Sequence, residues 1–169
     1  MQRMMEILGL GSQVLLALDL EQTYWRTFLS EAVLFDDVKD LLDDLRILAI
    51  PAIVVTDLTA QIQLRKLVYF GLENSFNFVV TSEEAGYDKP HEAPFKIALE
   101  KANAKSGDIW MIGDNPINDI HGSKKTIQAT TLQKIHSGIS PGKGECQPDG
   151  SFENFGELRK LITSLKMKV

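Results

Sequence analysis

The chain has 169 residues, of which 44% are hydrophobic and 24% charged, a composition typical of one folded domain with at most a small appendage. Its net charge of −5 argues against a broad nucleic-acid-binding surface, because such a surface needs clustered lysine and arginine. The single cysteine, Cys146, excludes an internal disulfide and a cysteine-based zinc site. No run of 18 apolar residues and no signal-peptide pattern is visible, so we expect a cytoplasmic protein that does not enter a membrane.

The first 35 residues predict two helices and no strand. Apolar residues recur at helical spacings between Val14 and Leu29, with polar residues between them. We therefore expect a helix over about 13–29, with Ser12 as its N-cap, preceded by a shorter helix. On this basis residues 1–35 are predicted to form a small helical unit and residues 36–169 the main domain.

From residue 36 onward, predicted helices alternate with short apolar strands. The helices are predicted over 36–46, 59–70, 95–102, 117–125 and 157–167. The strands are predicted over 51–55, 76–80, 108–112, 127–132 and 151–152, with polar loops over 83–94 and 137–150. This alternation predicts an α/β fold, in which a three-layer, Rossmann-like domain has a parallel sheet with helices on both faces.

Polar side chains follow the carboxyl ends of these strands, where open α/β sheets bind ligands. Thr56 ends one strand, Lys89 lies in the loop after the next, and Asp114 ends a third. Asp119 falls one turn into the helix that Pro116 can begin. Two neighbouring carboxylates repel each other unless a cation lies between them, and oxygen ligands of this kind suit Mg²⁺. A hydroxyl and an ammonium group suit phosphate oxygens, so the set predicts phosphoryl chemistry with Mg²⁺.

Three segments, in this order, resemble the second, third and fourth motifs of the haloacid dehalogenase (HAD) superfamily of phosphatases and related hydrolases. Residues 52–57 (AIVVTD) resemble its apolar strand that ends in Thr or Ser. Residues 89–95 (KPHEAPF) resemble its Lys-Pro followed by a Phe that opens a helix. Residues 113–120 (GDNPINDI) resemble its paired aspartates five positions apart. The resemblance extends over most of the chain, and it implies a HAD-like core with a partial helical cap at the N-terminus.

The resemblance also implies roles for particular side chains. Thr56 would hydrogen-bond the transferring phosphoryl group, with Asp57 beside it in the substrate site. Lys89 would neutralise the nucleophile and the phosphate. Asp114 would ligate Mg²⁺, and Asp119 would support the metal through water. The implied activity is Mg²⁺-dependent hydrolysis of a small phosphate ester through an aspartyl-phosphate.

The first motif of the family, an apolar strand ending Asp-x-Asp-x-Thr that supplies the covalent nucleophile and the general acid and base, has no clear counterpart here. One interpretation is that residues 4–32 are the tail of a helical cap and that the nucleophile strand precedes Met1. The other is that residues 15–23 form a degenerate motif with Asp19. Helical spacing and few β-branched residues favour the cap. Without a nucleophile strand, however, the strands of Thr56 and Asp114 are expected to lose shared ladder bonds.

We therefore expect an N-terminally incomplete HAD-type hydrolase that has little activity alone. One alternative is an inactive homologue that binds a phosphorylated ligand or a partner. Another is a receiver-like signalling domain with Asp57 as phosphoacceptor, but the interval from Thr81 to Lys89 is too short for that fold. Exposed apolar residues of the helical unit would pair two chains or bind a missing N-terminal segment, and they include Leu10, Leu15, Trp25 and Phe28. The sequence does not identify the substrate or the oligomeric state.

Overall fold

A computed structural model of the chain describes residues 1–166 and divides the chain into two compact units, Met1–Leu34 and Phe35–Val169. The first unit contains helices α1 (Gln2–Ile7) and α2 (Val14–Glu31). No side chain caps α2 and its N-cap residue is Gln13, so the prediction that Ser12 caps it is wrong. Residues 15–23 lie within α2, so they do not form the strand that a degenerate nucleophile motif with Asp19 requires.

Helix α2 carries several apolar side chains that are exposed to solvent. Leu15 is 84% exposed and Val14 is 66% exposed. Near its carboxyl end, the ring of Trp25 makes edge-to-face contacts with Tyr24 and Phe28, at centroid distances of 5.0 Å and 5.6 Å. None of the helices in residues 1–166 combines the length and the apolar character needed to span a bilayer.

The second unit alternates helices and strands, as predicted. Its helices are α3 (Val38–Ile47), α4 (Ala60–Tyr69), α5 (Ser82–Ala85), α6 (Glu92–Ala102), α7 (Gly122–Ile127) and α8 (Phe155–Lys166). Its strands are β1 (Ile53–Thr56), β2 (Phe78–Thr81), β3 (Trp110–Gly113), β4 (Thr130–Lys134) and β5 (Gly150–Phe152). A π-helical segment (Pro116–His121) precedes α7, and a 3₁₀ turn (Gly144–Cys146) interrupts the loop before β5.

Several predicted boundaries are wrong for local reasons. Helix α6 begins three residues earlier than predicted, because the His91 side chain accepts a hydrogen bond from the N–H of Ala93 and caps it. The predicted strand over 127–132 begins too early, because α7 continues to Ile127 and Gln128 then turns the chain with φ of +53°. The predicted helix over 117–125 is partly π-helical. The predicted end of the last helix, Met167, lies outside the described residues.

All strand pairs are parallel, which confirms the α/β prediction, but the strands form two separate sheets. One sheet pairs β1 with β2, and the other has the order β3–β4–β5. Within residues 1–166, no ladder joins β1 to β3, the strands that end at Thr56 and Gly113. This gap is the expected consequence of the unmatched first motif.

Helices cover both faces of the larger sheet. Ile112 packs on a cluster formed by α3, α8, β4 and β5, whose buried members are Leu41, Leu132, Phe152, Leu158 and Ile162. Its neighbour Met111 packs on a second cluster, from α6, α7 and the start of β4, whose buried members are Phe95, Ile127 and Ala129. Since successive side chains of a strand point to opposite faces, the two clusters lie on opposite sides of β3. The second unit therefore has the three layers that the sequence predicts.

Asp149 fastens β4 to the loop before β5, and its environment makes that link sensitive to acid. Its carboxylate accepts hydrogen bonds from Lys124 and from the N–H and hydroxyl of Thr131, at 2.8–2.9 Å. The Lys124 ammonium first, and then the Thr131 N–H, lower the pKa of Asp149 from 3.8 to about 2. The ionised form is thus the one that the folded chain favours.

We expect Asp149→Asn to lower the free energy of unfolding at pH 7 by only about 1 kcal/mol, because the side chain is 45% exposed and solvent screens the ion pair. Since the folded pKa is depressed, the carboxylate stabilises the fold above pH 3.8 and loses this effect as the pH falls towards 2. Urea unfolding of the wild-type chain and of Asp149→Asn at pH 6, 3.5 and 2.5 should show that the difference between their free energies of unfolding shrinks as the pH falls. A difference that stays constant over this range would contradict the assignment.

Candidate functional site

A buried ion pair joins the ends of β1 and β3. The Lys89 ammonium donates hydrogen bonds to Asp119 Oδ1 at 2.7 Å and to the carbonyl oxygen of Val55 at 3.0 Å. The two charged side chains are only 10% and 7% exposed. The carbonyl of Ala52 bonds to the N–H of Asn77 beside β2, and backbone groups alternate sides along a strand, so the Val55 carbonyl points to the free edge of β1. Lys89 therefore satisfies a backbone acceptor that no strand within residues 1–166 pairs.

The second oxygen of Asp119 is held by the backbone that follows β3. Asp119 Oδ2 accepts hydrogen bonds from the N–H groups of Asp114 and Asn115, at 3.2 Å and 3.0 Å. A Cβ atom at Gly113 would lie 2.4–2.5 Å from the Asp119 side chain, so only glycine fits this approach. The carbonyl of Asp119 accepts a 2.6 Å hydrogen bond from the fully buried Ser123. Both carboxylate oxygens of Asp119 thus have partners within the protein.

The π-helical segment that carries Asp119 is set by its N-cap. Asn115 Oδ1 accepts hydrogen bonds from the N–H groups of Ile117 and Asn118, at 3.0 Å and 2.9 Å. Pro116, which has no N–H to satisfy, occupies the first helical position. This start directs Asp119 inward, where it is 5% exposed.

Asp57 connects the three loops that carry the predicted motifs. Its Oδ1 accepts a hydrogen bond from the Lys89 backbone N–H at 2.8 Å, and its Oδ2 accepts one from the Asn118 side-chain amide at 3.3 Å. Next to it, Thr56 Oγ1 accepts a 3.3 Å hydrogen bond from the N–H of Leu58 and keeps its own O–H as a donor. Asp57 therefore has a structural role that the sequence did not indicate.

The carboxylate of Asp114 bonds to a residue that no motif indicated. Asp114 Oδ2 lies 3.0 Å from His136 Nε2, and the Asp114 side chain is 50% exposed. The Asp114 carbonyl accepts a hydrogen bond from Gln133 Nε2 at 3.0 Å. Both partners follow or end β4, beyond the predicted strand over 127–132, so the sequence analysis missed them.

The structure brings the predicted residues together to different degrees. Lys89 and Asp119 meet directly, and the Val55 carbonyl connects them to the strand that ends at Thr56. Asp114 contributes its backbone N–H to Asp119, but its carboxylate bonds to His136. The two aspartates therefore do not face each other as a pair.

These residues fit Mg²⁺ only in part. Within residues 1–166, no group of three or more His, Cys, Asp or Glu side chains is placed to hold a metal ion. Both oxygens of Asp119 already accept hydrogen bonds and its side chain is buried, which disfavours direct ligation. The half-exposed Asp114 has one bonded oxygen and one without a partner among residues 1–166. Because Mg²⁺ keeps several waters and often takes one or two protein carboxylates, Asp114 fits an ion held mostly by water.

A cavity of about 830 Å³ lies elsewhere, between α3 and α8. Arg159 lines it and donates hydrogen bonds to Asp44 and Asp40, and the hydrogen bond to Asp44 is the main cause that raises the pKa of Arg159. Two carboxylates therefore already neutralise the Arg159 guanidinium, although Lys160 also lines the cavity. No residue of the three motifs lines it, so this cavity lies apart from the residues that the sequence predicts.

The chain is similar to hydrolases of known family. The family model for haloacid dehalogenase-like hydrolases matches residues 12–131. The ribulose-1,5-bisphosphate 5-phosphatase of Halopiger xanaduensis is 31% identical over 153 residues, which cover 87% of this chain and 64% of that protein. The phosphoglycolate phosphatase of Pectobacterium atrosepticum is 27% identical over 143 residues, which cover 82% of this chain and 59% of that protein.

Solved structures share the fold. The magnesium-bound HAD-hydrolase YfnB of Bacillus subtilis superposes with a TM-score of 0.74 at 23% identity, covering 96% of this chain and 68% of that chain. A HAD phosphatase from Thermococcus onnurineus superposes with a TM-score of 0.71 at 24% identity, covering 81% of this chain and 61% of that chain. The chain spans less than two thirds of the length of the two curated relatives named above.

We expect Asp119→Asn to lower the free energy of unfolding by about 3 kcal/mol, because it leaves the ammonium of Lys89 buried without an opposite charge. Urea unfolding at pH 7 measures this change. The matched control is Glu92→Gln, which removes an exposed pair with Lys96 and should change the free energy of unfolding far less, because solvent screens that pair. Equal effects of the two substitutions would contradict the buried ion pair.

Proposed function

The chain belongs to the haloacid dehalogenase-like hydrolase family, and from this premise we propose that it carries the phosphate-binding and Mg²⁺-binding side of a phosphatase site for a small phosphate ester. The observation that carries the proposal is the Lys89 ammonium, held between the end of β1 and Asp119. The names of the relatives support the substrate class, since ribulose bisphosphate, phosphoserine and phosphoglycolate are all small phosphorylated molecules.

In this proposal, Lys89 and Thr56 bind the phosphoryl group. Lysine has three N–H donors, and the two hydrogen bonds of Lys89 leave one for a phosphate oxygen. Thr56 Oγ1 accepts a hydrogen bond from the Leu58 N–H, and its own O–H remains as a donor for a second phosphate oxygen. Donors held in place in this way stabilise negative charge on the phosphoryl oxygens without having to reorganise.

Asp114 is the residue that would hold Mg²⁺, with Asp119 acting on the site through its backbone contacts. When bound, the ion would polarise a phosphoryl oxygen and orient the phosphate. The chain's own contribution is to keep Asp114 half exposed beside the loop that also fixes Lys89. The half-exposed Asp114 carboxylate can therefore attract a divalent ion, while the charge of Lys89 is neutralised by Asp119.

We further propose that the described chain lacks the nucleophile and is inactive alone. Asp19 lies within helix α2, and among residues 1–166 no strand joins β1 to β3. Lys89 instead satisfies the Val55 carbonyl at the open edge. A nucleophile acts as a unit with its acid–base partner, so its absence removes most of the rate.

A second candidate is a homologue that binds a phosphorylated ligand without turnover. It is favoured by the buried pairing of Asp119 with Lys89, which holds the site together without any catalytic step. The receiver-like alternative is disfavoured by the family match and by Asp57, whose two oxygens already accept hydrogen bonds.

The test is a phosphatase assay with p-nitrophenyl phosphate and Mg²⁺ on two polypeptides. One is this chain, and the other is this chain preceded by an apolar strand segment that ends Asp-x-Asp-x-Thr. We expect no turnover by the chain alone, and Mg²⁺-dependent turnover by the longer polypeptide that falls at least about 100-fold in Asp114→Asn or Lys89→Ala.

Three outcomes separate the alternatives. Ligand binding without turnover in the longer polypeptide favours the second candidate. Turnover by the chain alone that disappears in Asp19→Asn would contradict the assignment of Asp19 to a cap helix. Full activity of the longer polypeptide with Asp114→Asn would overturn the proposed metal site.

A further inference from the structure

The carboxyl end of β4 builds a support for Asp114 that none of the three motifs includes. His136 Nε2 lies 3.0 Å from Asp114 Oδ2, and Gln133 Nε2 lies 3.0 Å from the Asp114 carbonyl oxygen. An ionised carboxylate can only accept hydrogen bonds, so this contact requires the tautomer of His136 in which Nε2 bears a hydrogen and donates a hydrogen bond to Oδ2. This contact fixes one oxygen of Asp114 and leaves Oδ1 without a protein partner among the described residues.

The imidazole ring of His136 is itself held in place. It packs against the ring of Phe35, with centroids 6.0 Å apart and planes tilted by 48°. Phe35 in turn contacts the ring of Phe155 at 5.9 Å, and the Lys134 ammonium lies 4.5 Å from the Phe35 centroid. These contacts restrain the histidine ring on the side that faces Phe35, although Phe35 itself is 52% exposed.

Gln133 restrains the backbone on the same side. It is fully buried, and it donates to the carbonyls of Asp114 and Ser140 while its own oxygen accepts from the N–H of Gly142. All three contacts are 2.9–3.1 Å. A buried amide with every contact satisfied is costly to move, so Asp114 is fixed through its main chain as well as its carboxylate.

We propose that His136 is a positioning residue that orients the Asp114 carboxylate so that Oδ1 faces a divalent cation. The inference rests on the proposed function, because it takes Asp114 as the ligand of Mg²⁺. A hydrogen bond to a ligating carboxylate restrains its rotation and directs its remaining oxygen, and loss of such a contact typically lowers metal affinity about 10- to 100-fold.

The experiment uses Mn²⁺ as the probe and water-proton relaxation enhancement as the readout, so it requires no catalysis. We expect the dissociation constant for Mn²⁺ to rise at least about 10-fold in His136→Ala. His136→Gln places an amide N–H near the position of Nε2, so it should recover most of the affinity. The matched control is His121→Ala, which removes an imidazole whose contacts are with Glu145, and it should leave the affinity unchanged.

Asp114→Asn separates failure of this inference from failure of the proposed function. If Asp114→Asn abolishes Mn²⁺ binding but His136→Ala does not change it, the positioning role is overturned and the metal ligand stands. If the wild-type chain does not bind Mn²⁺, or Asp114→Asn binds it normally, both are overturned. Equal losses in His136→Ala and His136→Gln, with unchanged urea midpoints, would also overturn the positioning role, since the hydrogen bond would then not matter.

Discussion

The second unit depends on one buried interaction, the pairing of the Lys89 ammonium with Asp119. Two charges removed from water are stabilised when further hydrogen bonds satisfy most of their donors and acceptors. Here the Val55 carbonyl accepts a second hydrogen bond from the Lys89 ammonium. The N–H groups of Asp114 and Asn115 donate hydrogen bonds to the second carboxylate oxygen of Asp119. These contacts hold together the loops after β1 and β3 at the edge where the two sheets do not pair.

Close packing around the π-helical segment makes this pairing possible. Gly113 leaves the space that the Asp119 side chain fills, and a Cβ at Gly122 would lie 2.8 Å from the ring of Phe95. Phe95 is 1% exposed and lies in the first turns of α6, directly after the Lys89 loop. The same packing therefore sets the position of α6, the Lys89 loop and the segment that carries Asp119, so glycine at both positions is a geometric requirement of the site.

Much of this architecture follows from the sequence, because Thr56, Lys89 and Asp119 lie at or after the carboxyl ends of parallel strands, where α/β folds gather their ligand-binding groups. The separation of the two sheets also followed from the unmatched first motif. The contact of Asp114 with His136 did not, because it depends on where β4 ends. The sequence pattern ends β4 at Leu132, whereas in the structure β4 continues to Lys134. Its pairing with β3 extends to Gln133, which lies opposite Gly113, and His136 follows close to the end of β3. Side-chain direction after a strand depends on this register, which local patterns specify weakly.

We propose that Thr56, Lys89 and Asp114 surround one site for a phosphate and a divalent cation. Anomalous diffraction from crystals of the chain grown with Mn²⁺ and inorganic phosphate would locate both ligands. We expect a manganese peak at Asp114 Oδ1 and a phosphate within hydrogen-bonding distance of the Thr56 hydroxyl and the Lys89 ammonium. Manganese or phosphate bound instead in the cavity between α3 and α8, with none at these three side chains, would contradict it.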